Sequence, residues 1–263
     1  MRVTWMAAML LATGIPALPA ELFGVFKSAE LDARLVSLQK PEIIHQGSNF
    51  TISLNALSDV TQGARTNDDD ADQVLFVRRG SGAILVAGRP HHVGAGDVIS
   101  LPRKTEYQLS APSGRVEYVA VRIWGEGGPR SPSFKVWSEI SDVIPASEVE
   151  ATFAGGYPHS IHSALAFLMA YAIYRGEWGP WESHQYQGHI YLVSTGHAEA
   201  ELGGQIKDTR EEGRGTTLGS GATGGQRYEI GPGDIVVIPP NTAHHMVLRG
   251  EKFGYLFILL RYP

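Results

Sequence analysis

Cysteine is absent from all 263 residues. That excludes disulfides, thiolate metal ligands, lipid-modified cysteine and thiol nucleophiles. A basic excess is lacking too: 22 Lys and Arg stand against 27 Asp and Glu, for a net charge of −5. With no Lys/Arg block anywhere, the electrostatic footprint of a nucleic-acid partner is missing. No apolar run reaches the roughly 20 residues of a comfortable membrane-spanning helix. What is present is a hydrophobic content of 43%, enough for a real core, with 31 Gly and 15 Pro to punctuate it. Many turns and short apolar runs read as an all-β protein.

The N-terminus has its own grammar. Arg2 supplies a positive start, Met6 to Ile15 is apolar, and Ala17-Leu18-Pro19-Ala20 offers small residues for cleavage. This is a signal-peptide pattern over residues 1–20, and it predicts export to the periplasm or the cell exterior. The rival readings are a membrane anchor or an N-terminal helix. No stable membrane insertion is expected after cleavage. Past it, Ser28 to Leu38 carries Leu31, Leu35 and Leu38 near helical spacing, with Ser28 as a cap candidate.

Two stretches carry the chemistry. The first is GEWGPWESHQYQGHIYLVSTG, from Gly176 to Gly196, holding Glu182, His184 and His189. The second is GDIVVIPPNTAH, from Gly233 to His244. Side chains alternate faces along a strand, so Glu182 and His184 point one way. A turn after Gln187-Gly188 makes IYLV the return strand and brings His189 back toward them, while Pro239-Pro240-Asn241 turns the chain to deliver His244. Three imidazoles and a carboxylate suit one divalent transition metal: zinc, iron, manganese, nickel or copper. By parity, Tyr186 and Tyr191 share faces with His184 and His189, and Tyr174, Trp181 and Met246 join them as candidate pocket residues. Trp178 and Trp181 are each compatible with lining the mouth or covering the barrel rim, with the rim at least as good a reading for Trp178.

These spacings resemble the cupin superfamily. Its first motif runs Gly, five residues, His, one, His, three or four, Glu, six, Gly. Gly176, Glu182, His184, His189 and Gly196 keep that spacing, with Glu182 and His189 exchanging residue types. Its second motif runs Gly, five, Pro, one, Gly, two, His, three, Asn, and Gly233, Pro239, Asn241, His244 and Leu248 follow it. The same grammar occurs earlier in the chain. Gln73 and Gly80 match His189 and Gly196, and Gly96, Pro102 and Tyr107 match Gly233, Pro239 and His244. The offsets are 189 − 73 = 116 and 244 − 107 = 137. In the earlier copy every ligand position is replaced, and the run Asn67 to Asp72 stands where the His pair would. That run reads as a solvated acidic turn rather than a calcium site.

The resemblance implies two tandem cupin-type β-barrels (jelly rolls) with a few short helices. The expected division is 1–20 signal peptide, 21–135 an N-terminal barrel without metal ligands, and 136–263 a C-terminal barrel with the metal. The segment Lys207 to Gln226 is rich in Gly, Ser and Thr, reads as a mobile loop, and is expected far from the metal. Family members of this kind include metal-dependent dioxygenases. Three functions stay open: an oxidoreductase or dioxygenase acting on a small organic molecule, a non-catalytic binder of a sugar or organic acid, and a zinc-dependent isomerase or hydrolase. No catalytic base is assigned from sequence. Monomer and homo-oligomer are both compatible with the pattern.

Overall fold

The structure is a computed structural model that describes residues 22–60, 66–124, 142–154, 159–160, 168–173, 177–250 and 252–262. The segment read as a signal peptide, residues 125–141 and Tyr174 lie outside the described residues. The protein is all-β, with two short helices, Ser28–Val36 and Ala146–Ala154. Among the described residues no helix is long and apolar enough to cross a membrane.

One seven-stranded sheet is built from residues 42–144. Its long strands Ala71–Val86 and Tyr107–Trp124 pair along most of their length, and bulges let both bend across the body. The later half forms two six-stranded sheets. In one, Ile235–Ile238, Gln187–Thr195, Phe253–Arg261 and Leu168–Ile173 lie in that order. In the other, Thr216–Gly219, Glu177–His184, His244–Leu248, Ala198–Leu202 and Gln226–Ile230 follow one another. The expected barrels are therefore not closed by hydrogen bonds. The later half is a jelly roll of two facing sheets with open edges, and the earlier half is a single sheet bent at its bulges.

The apolar runs become strands buried on both faces, for a reason that alternation makes plain. In Gln187–Thr195, His189, Tyr191 and Val193 face the interior of the later half, while Ile190 and Leu192 face the earlier half. The last strand does the same with Tyr255 and Phe257 inside, and Leu256, Ile258 and Leu260 outside. Three apolar layers result. One fills the earlier half around Leu75, Ile84 and Ile99. One fills the later half around Tyr191, Val236 and Phe253. The third joins the halves, from Phe50, Ile52 and Val121 on one side to Ile190, Val237 and Leu256 on the other.

Each half lends the other its leading arm. Strand Gly24–Phe26 pairs with Ile235–Ile238, and strand Asp142–Ile144 pairs with Val98–Leu101. The helix after each arm is capped by the same Gly-Asp turn of the half it joins. The Asp234 carboxylate accepts the Ser28 N–H at 2.7 Å, and the Asp97 carboxylate accepts the Ala146 N–H at 2.7 Å. Ser28 is thus the first residue of its helix rather than its cap. Lys27 takes the cap position, and its ammonium pairs with Asp234. Leu31 and Leu35, one turn apart on the first helix, enter the shared layer.

Candidate metal centre

The strand Glu177–His184 and the strand Gln187–Thr195 belong to different sheets. The chain crosses between them at Gln185 and Tyr186, not after Gly188. That corner is tied to both sides: the Gln185 N–H donates to Gly215 O at 2.8 Å, and the Tyr262 N–H donates to Tyr186 O at 3.0 Å. The turn puts His184 and His189 on facing sheets with their rings 4.9 Å apart. His244 comes from the strand beside Glu177–His184, where it sits opposite Glu182. Its ring is 5.4 Å from that of His184 and 5.1 Å from that of His189. One nitrogen from each of the three histidines lies within 4.8 Å of the others.

Glu182 closes one side of this set. Its oxygens stand 3.2 Å from His244 Nε2 and 3.6 Å from His184 Nε2. The three Nδ1 atoms all face protein oxygens: Thr216 Oγ1 at 3.1 Å from His184, Tyr191 Oη at 3.2 Å from His189, and Thr242 O at 2.9 Å from His244. A carbonyl only accepts, so His244 Nδ1 carries the proton and the neutral ring keeps a lone pair on Nε2. That Nε2 is buried and has no hydrogen-bond partner among the described residues, and it faces a carboxylate oxygen. Two acceptors in contact call for a cation or a proton between them.

The electrostatics set a buried imidazole cluster against one carboxylate. Burial pushes His189 well below its ordinary pKa, and the nearby His244 and His184 add to that. For Glu182 burial acts upward. Hydrogen bonds and charge from His184 and His244 in their protonated forms outweigh it and hold the carboxyl of the metal-free protein well below the usual range. Neutral imidazoles and an ionised carboxylate are the forms that bind a divalent transition metal.

The candidate pocket residues divide. Tyr191 is buried and touches the centre through its hydroxyl. Met246 is buried in the apolar layer of the same half, two residues from His244 and on its face. Trp181 is a correction. As the neighbour of Glu182 it points the other way, and it stacks on His245 with ring centroids 5.5 Å apart. Tyr186 is another correction: it sits on the corner, 44% exposed, because strand parity stops there. The segment 207–226, expected mobile and distant, instead forms strands, and Thr217 and Thr216 pair with Ser183 and His184. Thr216 was missed because its role comes from a register that composition does not encode.

The earlier half repeats the arrangement with other chemistry. An isolated bridge joins Thr66 to Tyr107, at the places of Glu182 and His244. Asp68 falls at the place of His184 and Gln73 at that of His189, each 116 positions earlier. Arg122 lies opposite Gln73 and binds the Asp68 carboxylate, with a second contact of 2.9 Å. The Tyr107 hydroxyl donates to Gln73 Oε1 at 3.4 Å. A fixed guanidinium thus neutralises the carboxylate here, and Arg103 pairs with Asp72.

No family model and no curated protein matches the sequence. Solved structures do. A cupin 2 conserved barrel domain protein from Leptotrichia buccalis superposes with TM-score 0.56 at 13% identity, over 90% of this chain and 96% of that one. Salicylate 1,2-dioxygenase from Pseudaminobacter salicylatoxidans gives TM-score 0.65 at 10% identity, over 95% and 88%. A putative glyoxylate-induced protein from Pseudomonas aeruginosa gives 0.59 at 13%, over 97% and 93%. A variant of the dioxygenase, in complex with gentisate, gives 0.66 at 9%, over 94% and 84%. The fold is that of the cupins.

Proposed function

We propose that this cupin-fold protein is an exported metal-dependent oxidoreductase, dioxygenase-like, that acts on a small organic molecule. His184, His189 and His244 hold one divalent transition metal through Nε2, and Glu182 completes the set. The observation that carries the reading is the buried His244 Nε2 lone pair beside the Glu182 carboxylate, a pairing that a cation satisfies. Fold likeness to a dioxygenase that binds gentisate supports the reaction class, and the Met1–Ala20 pattern supports export. The division into a metal-free half and a metal-bearing half follows the ligand replacements at Asp68, Gln73 and Tyr107.

When bound, the metal supplies Lewis acidity and, if redox-active, a route for O₂ to react with substrate. The protein does the rest. Tyr191, Thr216 and the Thr242 carbonyl hold the three rings. Apolar walls below the site, including Phe257 at 4.8 Å from the His189 ring, keep water from that side. Elemental analysis of the purified protein, beside an oxygen-uptake screen with aromatic and aliphatic acids, tests the proposal. Iron, manganese, nickel or copper near one per chain with substrate-dependent O₂ consumption is the expected result. Zinc with turnover and no O₂ use replaces it with Lewis-acid isomerase or hydrolase chemistry. A metal-free protein that still binds a small ligand replaces it with a binding role, for which the metal-lacking earlier half is the precedent.

A further inference from the structure

The extra chain that lengthens the second copy is built into the metal centre. From Gly196 to Gly233 is 37 positions, against 16 from Gly80 to Gly96. The added residues form strands Gln205–Lys207, Arg210–Glu211, Thr216–Gly219 and Gly221–Thr223. The third of these lies along Trp181–His184, with Thr216 directly opposite His184. Opposed residues of an antiparallel pair share a face, so the register itself brings the Thr216 hydroxyl to the His184 ring.

The hydroxyl is held in place by its surroundings. The Thr216 N–H donates to Gly213 O at 3.1 Å, and Thr216 O accepts the Glu212 N–H at 2.8 Å. Gly215 has φ +74°, and a Cβ there would come within 2.9 Å of the Tyr186 ring. The turn therefore seats closely on the corner that carries His184. The other two rings have further constraints. His244 donates to a main-chain carbonyl, and His189 is walled by Tyr191 and Phe257. His184 is the more open ring, its side chain 11% exposed against 3% for His244.

We infer that Thr216 is a positioning residue that fixes the His184 ring with Nε2 toward Glu182, and that the inserted strands between Gln205 and Thr223 thereby set the affinity of the centre for its divalent metal. This rests on the metal reading above. Outer partners of metal-bound imidazoles are worth about 10- to 100-fold in affinity. The test is a Co²⁺ titration of the metal-stripped full chain, followed by visible absorbance, with the wild type, Thr216→Val, Thr216→Ser and His184→Ala. Valine keeps the shape and removes the hydroxyl; serine restores it. Thr216→Val should bind Co²⁺ about 10- to 100-fold more weakly with shifted absorbance bands, while its metal-free melting temperature stays at the wild-type value. Thr216→Ser should recover wild-type affinity. Equal affinities for wild type and Thr216→Val, with His184→Ala weakened, overturn the inference and leave the metal site standing. A Thr216→Val that melts lower and is not rescued by serine overturns it as well, because the contact is then structural only. Failure of the wild type to bind Co²⁺ overturns the metal reading itself.

Discussion

At the scale of single residues, the centre depends on which atoms are protonated. His184→Ala and His244→Ala each remove one of the three imidazole ligands and should strip most of the bound metal. Tyr107→Phe alters the matching position of the earlier half, where Arg122 already supplies the positive charge, and should leave metal content unchanged. Elemental analysis of the three purified proteins decides between these outcomes, and equal metal in all three contradicts the assignment. A pH dependence follows from His189. Its folded pKa lies well below the ordinary 6.5, so the fold holds it neutral while the unfolded chain takes up a proton near pH 6.5. The unfolded state then binds more protons, and stability present above about pH 6.5 is lost as pH falls toward the lowered folded value. Each pH unit in that window is worth up to about 1.4 kcal/mol for one proton. Urea unfolding of the metal-free protein between pH 7 and pH 5 should show this slope, and His189→Gln should flatten it by that share. Glu182 enters only lower, below the ordinary carboxylate value of 4.5. There the unfolded chain is protonated first, and stability falls further with decreasing pH.

At the scale of elements, the repeated glycines and aspartates are the fixed points. Gly80 sits at a bulge inside Ala71–Val86 with φ +78°, and Gly196 follows the end of Gln187–Thr195 with φ +73°. A Cβ at Gly196 would come 1.8 Å from Lys252 O, and one at Gly80 would come 1.7 Å from Arg115 O. Gly196→Ala therefore meets both a left-handed backbone and a main-chain clash. It should cost at least about 2 kcal/mol, read as a lower urea midpoint with an unchanged m-value. These glycines were legible in the sequence because motif spacing marks them, and so were the metal candidates, since ligand types recur at fixed offsets from them. The helix at Ser28 was legible from Leu31 and Leu35. Its cap was not, because Asp234 lies over two hundred residues away. Tyr186 was misread because alternation was carried through a corner, whereas Trp181 was placed at the pocket although alternation from Glu182 turns it to the other face. Thr216 left no signal, since an inserted strand with little apolar character shows its partner only through pairing.

At the scale of the whole molecule, the exchanged arms make the two halves interdependent. Arg78 concentrates that dependence. It comes from the earlier half, yet its buried guanidinium donates to Gly233 O of the later half at 2.6 Å. It also donates to Ser28 Oγ and Asp32 Oδ1 of the first helix, each at 2.9 Å. The side chain is 5% exposed, so replacing it by leucine leaves buried acceptors without a donor. Asp32 retains Arg79, which softens the loss. A cost of about 2–4 kcal/mol is expected from uncompensated buried polar groups. The distribution of the effect is more informative than its size. Because an apolar layer and two arms join the halves, the wild type should unfold in a single calorimetric transition, with equal calorimetric and van't Hoff enthalpies. Arg78→Leu should lower that transition as a whole, shifting signals from both halves together. If the variant splits into two transitions and only one moves, the halves are independent domains and the exchanged arms do not couple them.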